Sequence, residues 1–125
     1  MNTTLNNLVA LSTFVQQHQN DALPIKTAYK FNKMAYAIEK DIQFFQSQYK
    51  IILDNYAEKD EMGNPILNGQ EIKVKEGEIQ NYLSKMEELL STEVEINFPL
   101  FTLDELSNYE LSIAELRPLM PFIKE

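Results

Sequence analysis

From Ala28 to Tyr56 the chain carries apolar side chains in an unbroken three-four rhythm: Ala28, Phe31, Ala35, Ile38, Ile42, Phe45, Tyr49, Ile52 and Tyr56. Four heptads on one helical face form a seam that must be covered, because its exposure to water is costly. Pro24 fits the first turn, where a missing N–H costs little, and neither glycine nor a further proline follows before Lys59. The pattern predicts one helix over about 24–59, roughly 50 Å long at 1.5 Å per residue. A 125-residue domain has a radius of gyration of about 14 Å. The helix must therefore bend or break, with Gln46-Ser47-Gln48 its most polar stretch, or project toward a second chain.

The remaining elements are shorter. Residues 3–18 read as a first helix capped by Thr3 or Thr4. Asn68-Gly69, set between Ile66-Leu67 and Gln70-Glu71-Ile72, signals a β-hairpin over about 65–75. Residues 76–91 read as a third helix with Ile79, Tyr82, Leu83, Met86 and Leu90 on its apolar face and Leu89 beside it. Val94, Ile96 and Phe98 alternate with Glu95 and Asn97, which predicts a third strand beside the hairpin, ended by Pro99. Thr102-Leu-Asp-Glu105 and Ser112-Ile-Ala-Glu115 are capping-box patterns that start two short helices. Leu116, Leu119, Met120, Phe122 and Ile123 make the tail apolar enough to dock. The expected fold is a single α+β domain over 1–125, mainly helical. Its long helix packs with two or more shorter helices and a small antiparallel sheet of about three strands.

Charge narrows the partners. The net charge is −8 and is unevenly spread. Residues 1–53 hold five lysines against Asp21, Glu39 and Asp41, a net +2, whereas residues 54–125 hold sixteen acids against five lysines and Arg117, a net −10. Long-range repulsion disfavours nucleic acid and anionic membrane, and the asymmetry suits head-to-tail or antiparallel self-association. No apolar run is long enough for a membrane span, and the N-terminus lacks the basic start of a signal peptide. With no cysteine there is no disulfide framework or thiolate metal site, and a cytoplasmic protein is expected.

Nothing in the sequence points to catalysis. His18 is the only histidine and sits in a polar turn, where solvation is the plain reading. Gly63, Gly69 and Gly77 form no phosphate-cradling loop, and the Asp60–Asn64 turn lacks the alternating ligands of a calcium loop. Catalytic residues, metal ligands and cofactors are therefore all expected to be none. Lys26, Lys30, Lys33 and, less centrally, Lys40 line the helix face opposite the seam, with Tyr29 and Tyr36 near them. Basic residues with aromatics can hold phosphates, so Lys26, Tyr29, Lys30, Lys33 and Tyr36 are the candidate ligand-binding set. The plain alternative is a solvated face paired with acids. The seam residues Phe31, Ile38, Ile42, Phe45, Tyr49, Ile52 and Tyr56 are the candidate interface. Small residues alternating with aromatics suit intramolecular helix packing better than a zipper, so the first and third helices are candidate partners for parts of it.

Several motifs carry a resemblance. They are Leu23, Pro24, Lys26, Tyr29 and Lys30; Tyr56, Glu58, Lys59, Asp60, Glu61 and Gly63; Leu89 to Ile96; and Leu111 to Leu116. Over most of its length the chain resembles an uncharacterised family of small proteins from tailed phages and prophages. The resemblance implies a phage-encoded protein acting in an infected bacterial cell, and transfers no activity. The expected function is that of a non-enzymatic accessory protein binding a host or phage protein, with counteraction of a host system as one variant. The alternatives are an oligomeric module sequestering a small anion or nucleotide through the lysine face, and a virion assembly or scaffolding protein.

Overall fold

The computed structural model describes residues 1–69 and 71–124. The chain is α+β and mainly helical. A short strand β1 (Asn2–Thr4) leads into helix α1 (Leu5–Gln17). Thr4 caps α1, its hydroxyl accepting from the Asn7 amide at 3.4 Å. The long helix α2 spans Ile25–Tyr56, with Pro24 as its N-cap. Its 32 residues extend about 48 Å and pass through Gln46-Ser47-Gln48 without a break.

The seam of α2 is covered by the chain itself, in two clusters. Toward its start, Phe31, Met34 and Ile38 enter a core with Leu8, Leu11 and Phe14 of α1 and with Ile96, Phe101, Leu106, Leu119 and Phe122. Toward its end, Ile52 packs on Leu5 and Leu89, flanked by Phe45, Tyr49, Tyr56, Tyr82 and Met86. Two clusters resolve the length problem: no single globule spans the helix, so each half gets its own cover. The second cluster is thin, with three buried side chains, and each contributes about 2–3 kcal/mol by removal from water.

The strands depart from the expected three-stranded sheet. Strand β2 (Leu67–Asn68) pairs with β3 (Glu71–Ile72) as the predicted hairpin, with Asn68 opposite Glu71. Asn68, expected in the turn, is therefore a strand residue; Gly69 follows it at φ +71°, and Gln70, expected in the second strand, lies outside the described residues. The stretch following α2 joins this hairpin through isolated bridges, Ala57 to Val74 and Lys59 to Pro65. Helix α3 (Ile79–Leu90) then leads to strand β4 (Glu93–Glu95). Instead of extending the hairpin, β4 pairs antiparallel with β1: Asn2 with Glu95, Thr3 with Val94 and Thr4 with Glu93. The start of the chain is tied there to the end of α3, because α3 returns along α2 and delivers β4 beside the start of α1, where the Leu5 amide donates to the Thr92 carbonyl.

Both capping boxes are formed. Helix α4 (Leu103–Leu106) is capped by Thr102 and Glu105, and α5 (Ile113–Leu116) by Ser112 and Glu115. A 3-10 turn over Arg117–Phe122 seats Leu119 and Phe122 in the core, and Phe101 holds that tail by backbone bonds to Phe122 and Lys124.

Candidate functional site

The five residues of the predicted anion site do not stay together. Lys30, whose side chain is 16 % exposed, donates to Glu105 Oε1 at 2.8 Å and Oε2 at 3.0 Å and to the Leu100 carbonyl. Its ammonium also lies 4.9 Å from the centroid of the Phe101 ring. Lys30 is thus a structural tie between α2 and the segment 100–105. The helical wheel set it on a solvated face because periodicity within α2 cannot show that α4 folds back over it. Lys26, Tyr29, Lys33 and Tyr36 are exposed, with the Lys33 ammonium 5.5 Å from the Tyr29 ring centroid. Without Lys30 they form an open surface rather than a cradle.

The predicted interface is also redistributed. Phe31, Ile38 and Ile52 are buried within the chain, which places them in its own core rather than on an outer contact. Ile42, Phe45, Tyr49 and Tyr56 are half-buried, and the Phe45 and Tyr49 rings stack at 5.7 Å. Besides Ile25 at its first position, the large apolar residues that α2 shows to solvent include Phe44 and Ile51, 50 % and 51 % exposed. Both line a cleft of about 300 Å³ with Gln48, Asn55 and, from α3, Lys85 and Glu88. Sequence reading passed over them because they lie off the stronger seam. Their spacing of seven residues was the available signal.

Helix α3 is rotated relative to expectation. Leu89 is its buried residue and Tyr82 and Met86 are half-buried, so the packing face runs through 82, 86 and 89. Ile79 and Leu83, expected on the inner face, are 56 % and 54 % exposed. Glu87 follows one turn after Leu83 on the same face and is exposed, whereas Glu76 lies in the turn before α3, outside the helix. Neither glutamate forms an ion pair among the described residues.

His18 is not the solvated turn residue expected. Its side chain is 17 % exposed and its ring stacks on Phe14 at 4.3 Å. Nδ1 lies 2.7 Å from Asp21 Oδ2 and Nε2 lies 3.4 Å from Glu115 Oε2, while the Tyr109 hydroxyl donates to the same Asp21 oxygen at 2.6 Å. Both ring nitrogens are thus engaged, and a small cleft of about 100 Å³ beside them is bordered by Phe14, Leu23, Phe31 and Asn32. The cluster reads as a clasp joining the end of α1 to the chain segment around α5. Its partners are distant in sequence, so no local pattern could reveal it. Among the described residues no group of three or more His, Cys, Asp or Glu is placed to hold a metal ion.

These contacts set an acid limit on stability. The Tyr109 hydroxyl and then His18 hold the Asp21 carboxyl below its ordinary value of 3.8. The Ser112 amide and hydroxyl hold Glu115 below 4.5, and the Lys30 ammonium, then the Thr102 amide, hold Glu105 below 4.5. Burial and the Asp21 carboxylate push the Tyr109 hydroxyl up, so it remains a donor at neutral pH. A carboxyl with a lower value folded than unfolded stabilises fully above the unfolded value. That stabilisation is lost as pH falls through the folded value. Thermal melts are therefore expected to hold steady from about pH 7 to 5 and to drop below about 4.5. The combined variant Asp21→Asn, Glu105→Gln, Glu115→Gln should show a shallower drop; an unchanged slope would exclude these three as its source.

No helix among the described residues is long and apolar enough to cross a membrane. Comparison with protein-family models, with curated proteins and with solved structures returns no match.

Proposed function

We propose that the chain is a non-enzymatic accessory protein that works by binding another protein through the exposed stripe of α3. The observation that supports this is the placement of Ile79 and Leu83, both more than half exposed and one turn apart, with the exposed Glu87 one turn further on. Leaving two large aliphatic side chains in water forgoes about 1–2 kcal/mol each, which a soluble chain recovers when a partner covers them. The Glu87 carboxylate at the end of this stripe favours a partner segment that is apolar and carries Lys or Arg at its flank. The net −10 of residues 54–125 steers such a basic partner toward this half of the molecule. The motif resemblance supports a phage-infected bacterial cell as the setting of this proposal, with a host or phage protein as the partner. The alternative of anion sequestration by the lysine face loses its central cation, because Lys30 is held by Glu105.

The test compares the wild-type chain with Ile79→Glu, Leu83→Glu as baits in infected-cell lysate. Both substitutions lie at exposed positions, so the melting temperature is expected to stay within about 2 °C. Captured proteins specific to the wild type, lost in the variant and competed by salt, are the expected result. Identical captured sets for both baits would defeat the assignment of α3 as the binding face.

A further inference from the structure

We propose that this protein forms a two-fold symmetric homodimer in which two copies of α2 pack antiparallel through a second, weaker heptad stripe centred on Ser47. The stripe consists of Ala37, Phe44 and Ile51 at one heptad position and Lys40, Ser47 and Asp54 at the position three residues on. All six are exposed in the single chain. It is a different face of α2 from the buried seam, and it is independent of the α3 surface proposed above.

The stripe is complementary to itself in one direction only. Phe44 and Ile51 are seven residues apart, about 10.5 Å along the helix, and Ser47 lies near their midpoint. With a two-fold axis at Ser47, Phe44 of one copy meets Ile51 of the other, and the reverse contact forms by symmetry. Ser47 faces its own copy, and its small side chain lets the helices approach. In an antiparallel pair each edge of a helix meets the same edge of its partner. Lys40 therefore meets Asp54, twice per dimer. Asp54 holds Lys59 through Oδ1 at 3.3 Å, which leaves its second oxygen for the incoming ammonium. A parallel pair would set Lys40 on Lys40 and Asp54 on Asp54.

The wider charge distribution favours the same direction. The lysines toward the start of α2, Lys26 and Lys33, are exposed and unpaired among the described residues. Asp60 and Glu61 are exposed just beyond its end. Antiparallel packing lays each basic end along the other copy's acidic end. The cleft of about 300 Å³ that Phe44 and Ile51 border receives the partner's Phe44 ring, with Gln48 and Asn55 at its polar margin.

Light scattering over a concentration series up to about 100 µM reads the association directly, at an affinity suited to a small interface. The expected mass rises from 14.5 kDa toward twice that value for the wild type. It stays at 14.5 kDa for Phe44→Glu, Ile51→Glu. Lys40→Glu alone and Asp54→Lys alone should each weaken association about tenfold, and the two together should restore it. The chain has no cysteine, so Ser47→Cys introduces its only thiol. It should form a disulfide-linked dimer under mild oxidation, and Ser84→Cys on α3 should not. A wild-type mass that stays monomeric throughout overturns the proposal and assigns the stripe to another occupant. A dimer that survives Phe44→Glu, Ile51→Glu, or a charge swap that fails to restore, overturns it as well. The last two tests involve surface positions, so they stand even if the double glutamate variant folds poorly.

Discussion

Phe101→Ala is expected to destabilise the protein by about 3–5 kcal/mol, lowering the melting temperature by about 10–20 °C. Phe101 is fully buried, and its ring lies 4.5 Å from that of Phe31 and beneath the Lys30 ammonium. Truncation leaves a void where α2, the segment before α4 and the C-terminal tail meet. It also removes the ring that fixes the strand-like pairing of Phe101 with the Phe122–Lys124 tail. The chain loses the contact that docks its last helical turns, so the collapse that refills many cavities would here require moving two elements at once. For a domain whose total stability is of order 5–15 kcal/mol, the loss is a large fraction. Urea unfolding followed by circular dichroism checks it. The midpoint should fall by about 2 M, against less than about 0.5 M for the exposed control Ile113→Ala. Equal midpoints would show that Phe101 does not organise this junction.

The second large effect is an asymmetry across one ion pair. Glu105→Ala should cost about 2 kcal/mol, and Lys30→Met less than about 1 kcal/mol. Removing Glu105 leaves the ammonium of a side chain that is 16 % exposed with the Leu100 carbonyl and the Phe101 ring to hold it, and also deletes the carboxylate that accepts from the Thr102 amide in the α4 capping box. Removing Lys30 eliminates the charge that needed pairing, keeps an apolar stem on Phe101 and leaves the capping box intact. Glu105 is partly open to solvent, so the loss falls below that of a fully buried pair. Chemical denaturation of both variants and of the double mutant gives the coupling. A costlier Lys30→Met than Glu105→Ala would contradict the assignment of Lys30 as a tie that depends on Glu105.

Local grammar was legible wherever its partners lie within a few residues. Thr102 with Glu105 and Ser112 with Glu115 start helices as their spacing requires, and the hairpin forms where Asn68-Gly69 marks it, shifted by one position. The shift has a simple cause: register is set by which strand residues pair, and Asn68 pairs with Glu71. The fate of Val94 was not legible. An alternating strand states that one face is buried and leaves open which edge it joins, and the choice of β1 over the hairpin depends on the path of α3.

For the candidate site residues the sequence left the grouping open. Periodicity identifies faces of a helix but not what lies over each face. Lys30 looked as free as Lys26 and Lys33 until α4 was placed above it, and His18 looked solvated until Tyr109 and Glu115 arrived from the far end of the chain. Ile79 and Leu83 looked internal because the apolar side of α3 is wider than the strip α2 can cover. By itself, then, the sequence determined the α+β character, the long helix, its seam, the caps and the charge asymmetry, because each rests on interactions between near neighbours. The tertiary structure alone decided that Lys30 is tied, that His18 is clasped and which apolar stripes stay uncovered. Those outcomes depend on contacts between segments some 70 to 100 residues apart, and no local spacing encodes them.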